Sequence, residues 1–347
     1  MDSPRRFILG LAILLVAGWA SADYLETSRS ATLKSAADGD AQILERLERG
    51  EYLQLVNEDQ ENGYYLARSA GNSTDGWIYR SLVRRYPGDP PAVESDSQIL
   101  ADPGFLFTPE KNLAAQRHLR LGKPQAVFER VQEGFVSAQD ARLKVPLWVQ
   151  YELRPQDLDG PADRKGNFHQ DKSVPRESRA SDADYVNSGF DRGHMAPADH
   201  MDRNDGVMYE SFALSNACPQ VGDGFNSHIW AYLEAAVKDW VETRGPLTVI
   251  TGPIFEVVEN RVEFETIGEG RVAVPDAFYK IVVDNRNPDK PEALAFRLPN
   301  EALPGEEFED YLTSVDAIEA ETGLDFLTAL PETVERSLER EVAEQIW

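Results

Sequence analysis

Cysteine is almost missing from this chain: Cys218 is the only one in 347 residues. No intrachain disulfide can form, so the fold rests on its core rather than on covalent staples. A lone thiol of this kind reads as a small buried hydrophobe. Histidine is scarce as well, with 5 residues, which leaves few side chains that can exchange a proton near neutral pH. Positive charge is in deficit, with 35 Lys and Arg against 60 Asp and Glu and a net charge of -25. That argues against broad adhesion to polyanions, which depends on basic groups neutralising phosphates. Long apolar runs are lacking too. The run Phe7 to Ala20 has 14 residues, short of the ~20 that span a bilayer. No convincing internal repeat is present.

What is there narrows the class further. Hydrophobic residues make up 41% of the chain, enough for a packed core. The acidity is uneven. Residues 204–347 carry 29 acidic and 10 basic side chains, whereas residues 141–203 carry 11 and 10. The middle of the chain can therefore form a locally neutral or basic cleft on an acidic protein. At the N-terminus, Arg5 and Arg6 precede the apolar run, and Ala20-Ser21-Ala22 follows as a small-residue cleavage site. This pattern reads as a secretory signal over residues 1–22. An uncleaved anchor or another kind of targeting leader are the alternatives. The expected location is periplasmic or secreted, or N-terminally anchored and facing away from the cytoplasm, with no further integral membrane segment.

Residues 23–117 read as a mainly helical accessory region of unknown role. Ile43, Leu44 and Leu47 have helical spacing, and Glu110 to Leu121 reads as a helix ended by Gly122 and Pro124. Breaks fall at residues 71–76 and 86–91. The pattern then changes. Leu147 to Leu153 alternates like a strand, and residues 157–184 read as a long surface excursion. Phe212 to Leu214 reads as a short extended stretch. His228 to Val241 has Ile229, Leu233, Val237 and Trp240 on one face of a helix. Strands are expected at 247–251, ended by Gly252-Pro253, at 278–283 and at 293–298. Short helices are expected at 315–321 and 331–346. The fold class is α+β.

One segment concentrates chemistry: Asp191-Arg192-Gly193-His194. His194 can take a proton from water near neutral pH. Arg192 offers a rigid fork for phosphate. Downstream, Asn226 supplies a neutral oxygen of the kind Mg²⁺ accepts, and Mg²⁺ uses few protein ligands. Glu234 lies eight residues on, roughly 12 Å along a continuous helix. Both could not touch one ion from such a helix. Either Asn226 precedes the first turn or Glu234 acts through metal-bound water. Trp230 reads as packing. His200 could be a second metal ligand or a supporting polar residue, and the second reading is preferred.

These residues sit in a longer ordered pattern. It runs through Asp184-Tyr185, Ser188-Gly189-Phe190, Asp191 to Ala198, Ser215-Asn216, Pro219-Gln220, Phe225-Asn226, Trp230, Leu233-Glu234, Thr251-Gly252-Pro253 and Val274 to Lys280. Over residues 118–330 it resembles the DNA/RNA non-specific endonucleases, in their endonuclease G-like branch. The resemblance implies a ββα-metal fold, with a central antiparallel sheet region flanked by helices; residues 331–347, beyond it, read as a C-terminal acidic helix. It implies His194 as general base, Asn226 as direct Mg²⁺ ligand and Glu234 as the carboxylate orienting metal-bound water. Arg192 would lie beside the phosphate and Asn216 would support the site. Mn²⁺ is the expected substitute ion. DNA and RNA would be cut to 5′-phosphate and 3′-hydroxyl ends, and a homodimer and an inhibitor protein are the expected partners. Some family members place an arginine directly before an Asn-aromatic pair. Here Gly166 precedes Asn167-Phe168, so Arg164, Lys165 or Arg192 alone must supply that charge. The competing readings are an inactive nuclease-fold interaction protein and a metal phosphodiesterase for small substrates.

Overall fold

The computed structural model describes residues 23–47, 50–69, 73–88, 109–126, 128–164, 167–258, 261–305 and 307–347. The leader, Lys165 and Gly166 lie outside them.

Residues 23–86 are built from strands, which corrects the expectation of a helical extension. They are β1 (Tyr24–Thr27), β2 (Ala31–Lys34), β3 (Ile43–Leu47), β4 (Tyr52–Glu61), β5 (Tyr64–Ser69), β6 (Asp75–Tyr79) and β7 (Val83–Tyr86). The missed signal is Asn62-Gly63. Both residues have positive φ (53° and 80°) and form the two-residue link between β4 and β5. Asn-Gly is the preferred link for such a hairpin, because both central residues must be left-handed. Ile43 and Leu44, spaced as if for a helix, lie exposed on β3 at the sheet edge. Leu25, Leu33, Leu53, Leu55, Tyr65 and Ile78 give this unit its own core.

The remainder is α+β. Helix α1 (Pro109–His118) matches the expected helix. Strands β8 (Glu129–Val131), β9 (Val136–Gln139) and β10 (Pro146–Leu153) follow. After the excursion come α2 (Asp182–Tyr185), β11 (Asp191–His194), α3 (Asp205–Ser211), β12 (Ala217–Gln220) and α4 (Trp230–Arg244). Next are β13 (Leu247–Ile254), β14 (Val257–Val258), β15 (Arg261–Val262), β16 (Glu265–Ile267), β17 (Val272–Val274), β18 (Ala277–Asp284), β19 (Glu292–Pro299) and β20 (Leu312–Thr313). Helices α5 (Val315–Thr322) and α6 (Glu332–Arg340) close the chain.

The central sheet has the order β20-β19-β18-β13-β10-β9-β8, antiparallel throughout. Its long strands are buried on both faces, so they read as apolar runs. One face carries Val149, Tyr151, Val249, Phe278 and Val282 against Trp230, Leu233 and Val237 of α4. The other carries Ile250, Tyr279 and Ile281 against Val315, Ile318 and Leu338 of α5 and α6. Strand β13 runs through Gly252 and Pro253 rather than ending there, since both pair with β18. Of the stretch expected to be extended at 212–214, Ala213 is extended and bridges His169 in parallel, between the end of α3 and a 3-10 turn. Among the described residues no helix is long and apolar enough to cross a membrane.

The N-terminal unit is fastened to this body. Strand β15 pairs with β7 through Arg261 and Arg85. The Arg142 guanidinium lies 4.0 Å from the Tyr86 ring centroid and near Tyr24 and Tyr52. It donates to Glu26 at 2.9 Å and holds Asp140 with two nitrogens.

Candidate active site

The two-stranded ribbon β11–β12 and helix α4 form the site. Asp191 pairs with Gln220 at one end of the ribbon and His194 with Ala217 at the other. Gly193 is required by close approach. A Cβ there would lie 1.8 Å from Oε1 of Gln220. His194 is 8% exposed, and its ring packs between Phe168 at 4.6 Å and Phe212 at 4.9 Å. Its Nε2 is buried without a hydrogen-bond partner. Burial, then the charge of Arg164, pushes the imidazole down to about 3. It is therefore neutral across the physiological range, with its buried Nε2 not engaged in a hydrogen bond.

Asn216 fixes the chain just beyond His194. Its Oδ1 accepts from Ala196 N at 2.9 Å, and its Nδ2 donates to the Ala196 and Ser211 carbonyls, both at 2.8 Å. Its backbone carbonyl accepts from Met195 N. The amide is fully used in holding backbone, so Asn216 is a positioning residue. Asn216→Ala strands three buried backbone groups and is expected to cost about 3 kcal/mol. Urea denaturation checks this, and a loss below about 0.5 kcal/mol contradicts the clamp.

Asn226 lies in an irregular turn over Gly222–Ile229, broken at His228, before α4 begins. The sequence-level conflict with Glu234 is thus resolved by a break, since the two do not share one regular helix. Asn226 Nδ2 donates to Asp191 Oδ2 at 3.0 Å, which fixes the amide and leaves Oδ1 for a cation. Glu234 sits in the first turns of α4, its Oε1 buried without a hydrogen-bond partner and 3.9 Å from Lys280 Nζ. Burial pushes its carboxyl up to about 7, opposed by Lys280 and Arg164. Arg164, itself exposed, thus acts electrostatically on both His194 and Glu234. Arg192 is turned to α2, where it pairs with Asp182 at 2.7 Å and lies over Tyr185.

Sequence reasoning assigned no role to Lys280. It is fully buried, 3.9 Å from Glu234 and 4.2 Å from the Trp230 ring centroid. Burial brings it down to about 8. The only signal was its place in the Val274 to Lys280 motif, because a lysine inside an apolar strand has no periodicity of its own. Trp230 is core, packed on Phe225 and Phe278. His200 joins Tyr151 Oη at 2.9 Å to the Glu234 carbonyl at 3.0 Å, so it supports α4. Cys218 is buried and free.

The buried ionisable groups make a pH prediction. His118, His194 and His200 are each held near 3 by burial, against an ordinary 6.5. Their contribution to stability is present above 6.5 and is lost as pH falls toward 3. Glu234 and Glu319 near 7 and Glu339 near 8, against 4.5, have the opposite sign. They take up protons first in the folded state and gain stability as pH falls from 8 toward 4.5. The sets offset each other from 6.5 to 4.5. In chelator, the urea midpoint is expected to be nearly level over that span and to fall steeply from 4.5 to 3. A steady fall starting at 6.5 would mean that the glutamates stay ionised.

The model of the DNA/RNA non-specific endonucleases matches residues 116–333. The chain is 36% identical over 277 residues to a mitochondrial nuclease of Saccharomyces cerevisiae, covering 73% of this chain and 84% of that protein. It is 34% identical over 218 residues to the mitochondrial endonuclease G of Bos taurus, covering 60% and 72%. A crystal structure of the EndoG/EndoGI complex superposes with a TM-score of 0.59 at 31% identity, covering 63% of this chain and 93% of that one. The ribbon-and-helix site on an antiparallel sheet is that of a nuclease. The chain belongs to the DNA/RNA non-specific endonuclease family, in the branch of endonuclease G. Relatives named as mitochondrial overturn the expectation of a secretory signal and a periplasmic or secreted location. A basic, then apolar N-terminus does not by itself separate a secretory signal from another targeting leader.

Proposed function

We propose that this nuclease is a Mg²⁺-dependent, sugar-nonspecific endonuclease that leaves 5′-phosphate and 3′-hydroxyl ends. The supporting observation is the neutral His194 ring, with a buried unpartnered nitrogen, held at the end of the ribbon whose start carries Asp191 against Asn226. His194 takes the proton from the attacking water. Asn226 Oδ1 would hold the ion directly and Glu234 through water, with Mn²⁺ as a substitute. A bound Mg²⁺ supplies charge neutralisation at the phosphate and the departing oxygen. The hard oxygen of Asn226 and the Glu234 carboxylate, whose buried Oε1 has no hydrogen-bond donor, fit such an ion. Arg164 and Arg192 place and neutralise phosphate oxygens. Lys280 holds the Glu234 carboxylate. None of these groups reads a base edge, so weak sequence preference follows. The mitochondrial relatives point to the mitochondrion as the place of action. The inhibitor complex of the structural neighbour supports an inhibitor protein as a partner.

The test is plasmid nicking and RNA degradation by the chain in Mg²⁺, Mn²⁺ or EDTA, beside a small aryl phosphodiester. Cleavage of both polymers that EDTA abolishes is the expected result. Turnover of the aryl diester far above that of DNA would replace this reading with a small-substrate phosphodiesterase.

A further inference from the structure

Three carboxylates meet between α5 and α6, across the central sheet from α4 and the catalytic ribbon. One oxygen each from Asp316, Glu319 and Glu339 lies within 4.8 Å of the other two. Glu339 is 7% exposed, and its Oε1 is buried with no hydrogen-bond partner. Glu319 is oriented by Phe326 N, which donates to its Oε1 at 2.7 Å. Asp316 forms the exposed edge, with Arg340 Nε at 3.8 Å. Asp325 and Glu335 add negative charge to the same place. A buried carboxylate oxygen with no donor, facing two more carboxylates, is costly unless a cation or a proton sits between them.

We propose that Asp316, Glu319 and Glu339 bind a Ca²⁺ ion that ties α5 to α6, separate from the catalytic metal. The donor set is all oxygen, which selects a hard cation. The three oxygens lie within 4.8 Å of one another, close enough to share one ion, and Ca²⁺ accepts several carboxylates in adaptable geometry. Mg²⁺ prefers one or two carboxylates and keeps its waters. The ion would offset the burial, and after it the repulsion of neighbouring carboxylates, that pushes Glu339 up to about 8 and Glu319 up to about 7. Its effect is on the anchorage of the C-terminal helix, because Leu338 of α6 and Ile318 of α5 pack on the same sheet face, the one that carries Ile281.

The experiment is calorimetric Ca²⁺ titration and thermal melting of the chelator-treated full chain. Ca²⁺ at a hundred-fold excess over its dissociation constant is expected to raise the melting temperature by about 5 °C. Asn226→Ala keeps that shift. Glu339→Gln loses it, and Asp316→Asn, at the exposed edge, weakens Ca²⁺ binding at least ~10-fold without unfolding the chain. Nuclease activity in Mg²⁺ is unchanged in Asp316→Asn. The proposal is overturned if Ca²⁺ does not move the melting temperature of the unsubstituted chain, or if the shift survives both cluster substitutions. In the first case, a cluster that melts higher as pH drops below 8 is one whose glutamates share protons instead.

Discussion

His194→Ala is expected to lower the initial rate of cleavage by about 10²–10⁴-fold on both DNA and RNA. The loss is equal on both because the role proposed for His194 is on water at the phosphate, which the two polymers share. The ring is neutral, nine-tenths buried and flanked by Phe168 and Phe212, so no solvent base can take its position. Its removal also deletes a buried nitrogen that has no partner, which limits the cost of the cavity to the fold. Asn226→Ala separates the roles. Its rate recovers with excess Mg²⁺, because its defect is affinity for the ion, whereas His194→Ala does not recover. Initial rates on plasmid and RNA over a Mg²⁺ titration check both variants. Full activity of His194→Ala would remove the histidine from the mechanism while leaving the nuclease in place.

Arg142→Ala is expected to separate the N-terminal β unit from the nuclease body at a cost of about 3–5 kcal/mol. Arg142 is the cation for Asp140 and Glu26 and packs on three tyrosine rings. Asp140 is buried, so removing its cation leaves an unpaired charge away from water. Burial pushes the Tyr24, Tyr52 and Tyr86 hydroxyls up, so none of the rings can supply compensating chemistry. Arg142→Lys retains the charge but loses the fork, and falls between the two. Scanning calorimetry is expected to show one transition for the unsubstituted chain. In Arg142→Ala an early transition of residues 23–86 separates from the main one. Limited proteolysis within residues 23–86 is expected to accelerate in parallel. An unchanged single transition would mean that β7–β15 pairing alone holds the two units.

The nuclease half was legible in the chain because its signals are local. Asp191-Arg192-Gly193-His194 carries its chemistry in four adjacent residues. The face made by Leu233, Val237 and Trp240 announces α4 by period alone. The strands of the central sheet are apolar runs of the length a doubly buried strand needs. The N-terminal unit was misread because Ile43, Leu44 and Leu47 fit helical spacing, although Ile43 and Leu44 are exposed on an edge strand. The Asn62-Gly63 hairpin was the stronger signal, since it fixes backbone handedness rather than averaging hydrophobicity.

The sequence by itself determined the family, the identity of the residues around His194 and the absence of disulfides, all of which depend on residue type and spacing along the chain. Tertiary structure decided the rest. It put a break at His228 between Asn226 and α4 and gave the Asn216 amide entirely to backbone. It set Lys280 against Glu234 and brought Asp316 and Glu319 to Glu339 from a second helix. Each of those is a meeting of segments distant in the chain, and whether a buried charge finds a partner depends on packing that no local pattern encodes.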